Sequence, residues 1–100
     1  MTREELLAKA KEYVCADRAA SYAGPEESFG LISQFWSAYK GVHFSPRDVA
    51  AMMALLKLAR IAKNSNHEDS WIDVAGYAAC GVECKQEMIE LPTSEAFLKC

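Results

Sequence analysis

Four side chains in the middle of this chain have the types and spacing to hold a metal-bound phosphate: Lys57, Arg60, Asp69 and Asp73. Asp73 follows Asp69 by four residues, so on a helix both carboxylates project from one face about one turn apart. Two carboxylates so placed can hold a magnesium ion whose octahedron is completed by water or substrate oxygens. Lys57 and Arg60 also share a face. Lysine offers a compact charge and arginine a two-pronged donor, both suited to phosphate oxygens. The same residues have a second reading, as ion pairs that fix the register of two helices, because charge within an apolar segment is costly unless paired. Both readings stand at this level.

These residues need two helices to position them. The segment AMMALLKLARIA is apolar nearly all round apart from Lys57 and Arg60, a pattern expected of a core helix. Only Asn64-Ser65-Asn66 separates it from the acidic helix, and so short a connection favours an antiparallel hairpin. That hairpin brings Lys57, Arg60 and Asn64 toward Asp69 and Asp73. Gly76 and Tyr77 continue the acidic stripe by one further turn, which makes Tyr77 a candidate ligand contact. A glycine inside a helix costs roughly 1 kcal/mol against alanine, so Gly76 implies tight helix contact or ligand access.

Cap and stop residues mark the other elements. Thr2 with Glu5 forms a capping box that opens a first helix, reaching to between Arg18 and Tyr22,. Leu6, Leu7, Ala10, Tyr13 and Val14 give it one mainly apolar face. Pro25, with Glu26 and Glu27, suits the first turn of a second helix. That helix runs to about Tyr39, with Phe29, Ile32, Phe35, Trp36 and Tyr39 as an aromatic face and Gly41 as its stop,. Ser45-Pro46-Arg47-Asp48 starts a third helix that ends near Lys63. A fourth runs from about His67 to between Cys80 and Gln86, with caps offered by Asn64-Ser65-Asn66. Leu91-Pro92-Thr93-Ser94 sets off a short C-terminal segment. The expectation is an all-α fold of four main helices plus that segment, a helical-hairpin bundle forming a single domain over residues 1–100.

A second polar cluster lies between the first two helices: Asp17, Arg18, Ser21, Tyr22 and Glu27. Its Tyr22-Ala23-Gly24-Pro25 turn brings backbone N–H groups to a helix start where an anion can dock. A capping turn closed by an Arg18 ion pair uses the same residues. Trp36, Trp71 and Tyr39 read as core aromatics more readily than as base-stacking platforms, and Met52 and Met53 as core fillers. Cys80 and Cys84 stand at helical spacing without a CxxC or HxxxH partner, so packing thiols are favoured over structural zinc.

Bulk properties narrow the classes. The 100 residues carry a net charge of −3 and are 51% hydrophobic and 25% charged, which suits a small globular domain and argues against an electrostatic grip on nucleic acid. No apolar run approaches the roughly 18 residues of a membrane span. The charged start MTREELLAKAKEY lacks a secretory apolar region, so a cytoplasmic location is expected. A core this small favours self-association into a homo-oligomer.

The series Asp17-Arg18, Tyr22-Ala23-Gly24-Pro25, Phe29, Trp36-Ser37-Ala38-Tyr39, Ser45-Pro46, Lys57-Leu58-Ala59-Arg60 and Asp69 to Tyr77 resembles a family of small phage and prophage proteins of unknown function. The likeness extends to about Glu83 and follows a DR…YGxP…KxAR…DxxxDxAGY pattern, with the turn glycine here one place later than usual. The hairpin and acidic helix also resemble, distantly, the MazG-like all-α nucleoside triphosphate pyrophosphohydrolases. That family binds magnesium through an ExxE pair and an ExxD pair. Asp69 and Asp73 correspond to the second pair with a spacing of four, and no first pair falls on an expected helix.

The resemblances imply a phage-type protein, in the host cytoplasm, that binds a nucleotide or another phosphate-bearing small molecule, with Mg2+ as a candidate cofactor. Asp69 and Asp73 would hold metal; Lys57, Arg60, Arg18, Tyr22 and Tyr77 would contact ligand. If the chain is an enzyme, the implied reaction is pyrophosphate hydrolysis of a nucleoside triphosphate. The alternative is a non-catalytic counter-defence protein that sequesters a nucleotide signal or blocks a host defence protein.

Overall fold

Regular winding begins where a side chain satisfies the first free N–H groups. In the computed structural model, which describes residues 1–16 and 24–84, Thr2 caps α1 (Arg3–Lys11). The Glu5 N–H donates to Thr2 Oγ1 at 3.1 Å and the Thr2 N–H to Glu5 Oε1 at 2.7 Å, closing the predicted capping box. These bonds, chiefly the one from the Thr2 backbone, hold the Glu5 carboxyl below its ordinary value. The α-helix then widens into a π-helical turn over Glu12–Ala16. The expected continuation through Arg18, with Asp17, Ser21 and Tyr22, lies outside the described residues.

Helix α2 spans Pro25–Lys40 and ends at Gly41, whose φ of 70° is the left-handed conformation glycine adopts freely,. Helix α3 spans Pro46–Lys63, opened by a second capping box in which Ser45 Oγ accepts from the Asp48 N–H at 3.0 Å. The Ser37 hydroxyl accepts from the Phe44 N–H at 2.9 Å, pinning the link between α2 and α3, and Trp36 meets Phe44 edge-on at 6.0 Å. Helix α4 spans Glu68–Glu83. Its N-cap is His67 instead of one of the three residues Asn64-Ser65-Asn66. Asn64 is consumed in the turn, where its Oδ1 accepts from the Asn66 N–H at 3.1 Å. No strand occurs among the described residues, and the all-α reading holds.

Helices α3 and α4 form the expected antiparallel hairpin. Arg47, in the first turn of α3, reaches the end of α4: its Nε donates to the Cys84 carbonyl at 2.9 Å and a terminal nitrogen to the Val82 carbonyl at 3.2 Å. Those carbonyls have no partner within the helix, so the guanidinium caps α4. Between these ends, a Cβ built at Gly81 would sit 3.0 Å from the Ala50 Cβ, and one at Gly76 3.2 Å from Val14 Cγ1. Gly81 therefore lets α3 approach closely, and Gly76 admits the π-helical turn after α1. The tight-contact reading of Gly76 is the one the geometry supports.

The interior differs from the sequence expectation. Buried apolar residues are Ala10, Val49, Ala50, Ile61, Ile72 and Cys84; no Leu, Phe, Trp, Tyr or Met is buried among the described residues. Phe29, Ile32 and Trp36 turn partly inward, whereas Phe35 and Tyr39 are 68% and 86% exposed. Leu7, Tyr13, Met52 and Trp71 also face out, contrary to the expectation of an apolar α1 face, a methionine filler and a core tryptophan. Small side chains line the close contacts at Ala50/Gly81 and Val14/Gly76, leaving no room there for bulky groups,.

Candidate functional site

The α3–α4 hairpin places the predicted residues at one end of its seam. Lys57 lies on the inner side of α3 with its side chain 17% exposed, and its Nζ is 3.0 Å from Oδ2 of Asp73, itself 34% exposed. Of the two predicted pairings, this one forms. Arg60, one turn on along α3, and Asp69, one turn earlier on α4, are exposed and enter no ion pair among the described residues. Asp69 sits in the first turn of α4, beside Glu68, where negative charge complements the helix dipole,.

Tyr77 continues the stripe and is half-buried, its ring 6.2 Å from that of Phe29 on α2. It therefore serves as a packing contact between α4 and α2. Arg18 and Tyr22 lie outside the described residues. No group of three or more His, Cys, Asp or Glu side chains that could hold a metal occurs among the described residues. Asp69 and Asp73 thus offer two hard oxygen donors, and Asp73 shares its charge with Lys57.

Around the hairpin turn, Trp71 Nε1 donates to the Ser65 carbonyl at 2.9 Å, and His67 Nδ1 shares a hydrogen bond with the buried Ser70 hydroxyl at 2.8 Å. A groove of about 570 Å³ opens beside this turn, lined in part by Arg3, Leu6, Leu7, Asn66 and Trp71. It does not include Lys57, Arg60, Asp69 or Asp73.

At the far end of the hairpin, burial pushes the Cys84 thiol up from its ordinary value, with the neighbouring Cys80, Glu26 and Glu83 adding to the effect and Arg47 opposing it. Its Sγ–H donates to the Cys80 carbonyl at 3.4 Å. This is a packing thiol. Sequence reasoning overlooked Arg47, although the signal was present: a cation in the first turn of one helix of an antiparallel hairpin faces the carbonyl end of the other.

These features define a small all-α domain built on an antiparallel hairpin with a cross-helix ion pair. The chain belongs to the family described as domain of unknown function (DUF6378), whose model matches residues 5–85. It is similar to the Gene 55 protein of Mycobacterium phage L5, with 43% identity over 95 residues, covering 94% of this chain and 58% of the relative. It is also similar to the Gene 55 protein of Mycobacterium phage D29, with 36% identity over 87 residues, covering 87% of this chain and 58% of that relative. The chain therefore matches little more than half the length of these phage proteins. No solved structure matches it. No helix of the described residues is long and apolar enough to cross a membrane.

Proposed function

We propose that this phage-family domain binds a phosphate-bearing nucleotide, with a divalent cation, at the turn end of the α3–α4 hairpin. The observation that carries the reading is the ordering of charge there. Lys57 and Asp73 hold each other at 3.0 Å across the seam, while Arg60 and Asp69, one turn away on each helix, are open to solvent. Arg60 supplies a two-pronged donor for phosphate oxygens. Asp69 and Asp73 supply carboxylate oxygens of the kind magnesium prefers, and water and phosphate oxygens complete the shell. Lys57 keeps Asp73 in place and contributes positive charge beside the phosphate. In this reading the domain acts in the host cytoplasm. Pyrophosphate hydrolysis is the reaction to look for once binding is found.

The test is thermal melting of the chain with nucleoside mono-, di- and triphosphates and cyclic dinucleotides, each with and without magnesium. Binding stabilises the folded state by mass action. A rise confined to one ligand class supports the reading, and products checked by chromatography separate hydrolysis from binding. A flat panel from folded protein contradicts it.

A second reading, as a counter-defence protein that blocks a host protein, is favoured by a different observation. Leu31, Phe35 and Tyr39 project from one side of α2 with exposures of 56, 68 and 86%, each one turn beyond the last. Exposed apolar groups so aligned mark interaction surfaces.

A further inference from the structure

Helix α3 turns one charge inward and several apolar groups outward. Lys57 turns inward to Asp73. Ala51, Met52, Leu55, Leu58, Ala59 and Ala62 are all exposed, on the face opposite the buried Val49, Ala50 and Ile61,. Leu55 is 61% exposed. Within this face Ala51, Leu55, Leu58 and Ala62 recur at spacings of four, three and four residues, the seam of a helix pair. The leucines stand at the centre and the alanines at the ends. Small residues at the ends let a second helix approach closely while the leucines interdigitate.

Charge fixes what covers this face. The stripe formed by Ala51, Leu55, Leu58 and Ala62 holds no charged residue between Asp48 at its start and Lys63 at its end, because the exposed Arg60 projects from another side of the helix,. We propose that α3 packs antiparallel against α3 of a second copy of this chain about a two-fold axis. Leu55 then lies beside Leu58 of the second copy and Ala51 near Ala62 of the second copy. Asp48 approaches Lys63 of the second copy at both ends, and the helix dipoles oppose. Parallel pairing sets Asp48 against Asp48 and Lys63 against Lys63. The seam is thus self-complementary in one direction only. It leaves Arg60 and Asp69 outside the contact stripe.

Sedimentation equilibrium of the full 100-residue chain under reducing conditions, over a concentration series, tests the proposal. The expected result is a reversible dimer. Leu55→Lys, at an exposed position, keeps the helical circular dichroism and raises the dimer dissociation constant by about a hundredfold or more. Lys63→Glu leaves the core untouched and weakens the dimer roughly five- to tenfold at low salt, a difference that fades at high salt. A chain that sediments as a monomer overturns the proposal and assigns the face to another occupant, either the chain's own residues 85–100, which include Met88, Ile89, Leu91, Phe97 and Leu98, or a different protein. A dimer unaffected by Leu55→Lys overturns it too, and one indifferent to Lys63→Glu overturns the antiparallel register.

Discussion

Lys57 and Asp73 meet at 3.0 Å across the α3–α4 seam, with side-chain exposures of 17 and 34%. The pair is screened less than a surface ion pair and solvated more than a fully buried one. Loss of a buried partner costs about 3–5 kcal/mol and a surface pair contributes about 0–1 kcal/mol. Asp73→Asn is expected to lower stability by about 1–2 kcal/mol between these limits. Urea unfolding measures it, and a Lys57→Met, Asp73→Asn cycle should show strongly non-additive losses. Additive losses would mean that the two residues act independently.

Gly81 sets how closely the hairpin closes. A Cβ there sits 3.0 Å from the Ala50 Cβ, and that atom moves only with the α3 backbone. Gly81→Val is expected to destabilise by about 1–3 kcal/mol despite valine's better helix propensity. Ala50→Gly in the same chain should recover part of the loss, read as a cycle of thermal melts. Full tolerance of valine at position 81 would place the two helices farther apart.

Cys84 is expected to make stability fall at alkaline pH,. Its thiol ionises above the ordinary value of 9.0 because burial disfavours the thiolate. The fold therefore prefers the neutral form: the contribution is complete below about pH 9 and is lost as pH rises through the folded value. Urea midpoints at pH 8 and pH 10 should drop less for Cys84→Ala than for the parent chain. Iodoacetamide at pH 8 should label the exposed Cys15 before Cys84,. Equal labelling rates would place Cys84 in solvent.

The sequence announces most of the fold through its helix boundaries. Thr2/Glu5, Ser45/Asp48, Pro25 and Gly41 act locally, so their geometry follows from a few neighbouring residues. The hairpin was legible too, because three residues between two helical patterns leave few alternatives. Which face turns inward was much less legible. Phe35, Tyr39, Met52 and Trp71 are apolar at helical spacing yet exposed, because spacing along one helix does not dictate which face its neighbours cover. At the candidate site, Lys57 and Asp73 pair as their types and spacing suggested, while Arg60 and Asp69 turn to solvent, a choice of rotation about each helix that charge alone does not dictate. Arg47 is legible only once the hairpin is recognised, because its partners are backbone carbonyls at the end of the neighbouring helix.

The most direct test of the nucleotide reading is isothermal titration calorimetry of the full chain with magnesium and the nucleoside triphosphate that raises its melting temperature most, alongside Arg60→Met and Asp69→Asn. Both residues are exposed, so each variant should melt within about 4 °C of the parent without ligand, the shift that a surface change of about 0.5 kcal/mol produces in a domain of this size. The expected result is saturable binding by the parent and at least about tenfold weaker binding by each variant, as for a lost charge-assisted contact. Parent-like binding by both variants, or no binding by the folded parent to any triphosphate tried, would contradict a site at the turn end of the hairpin.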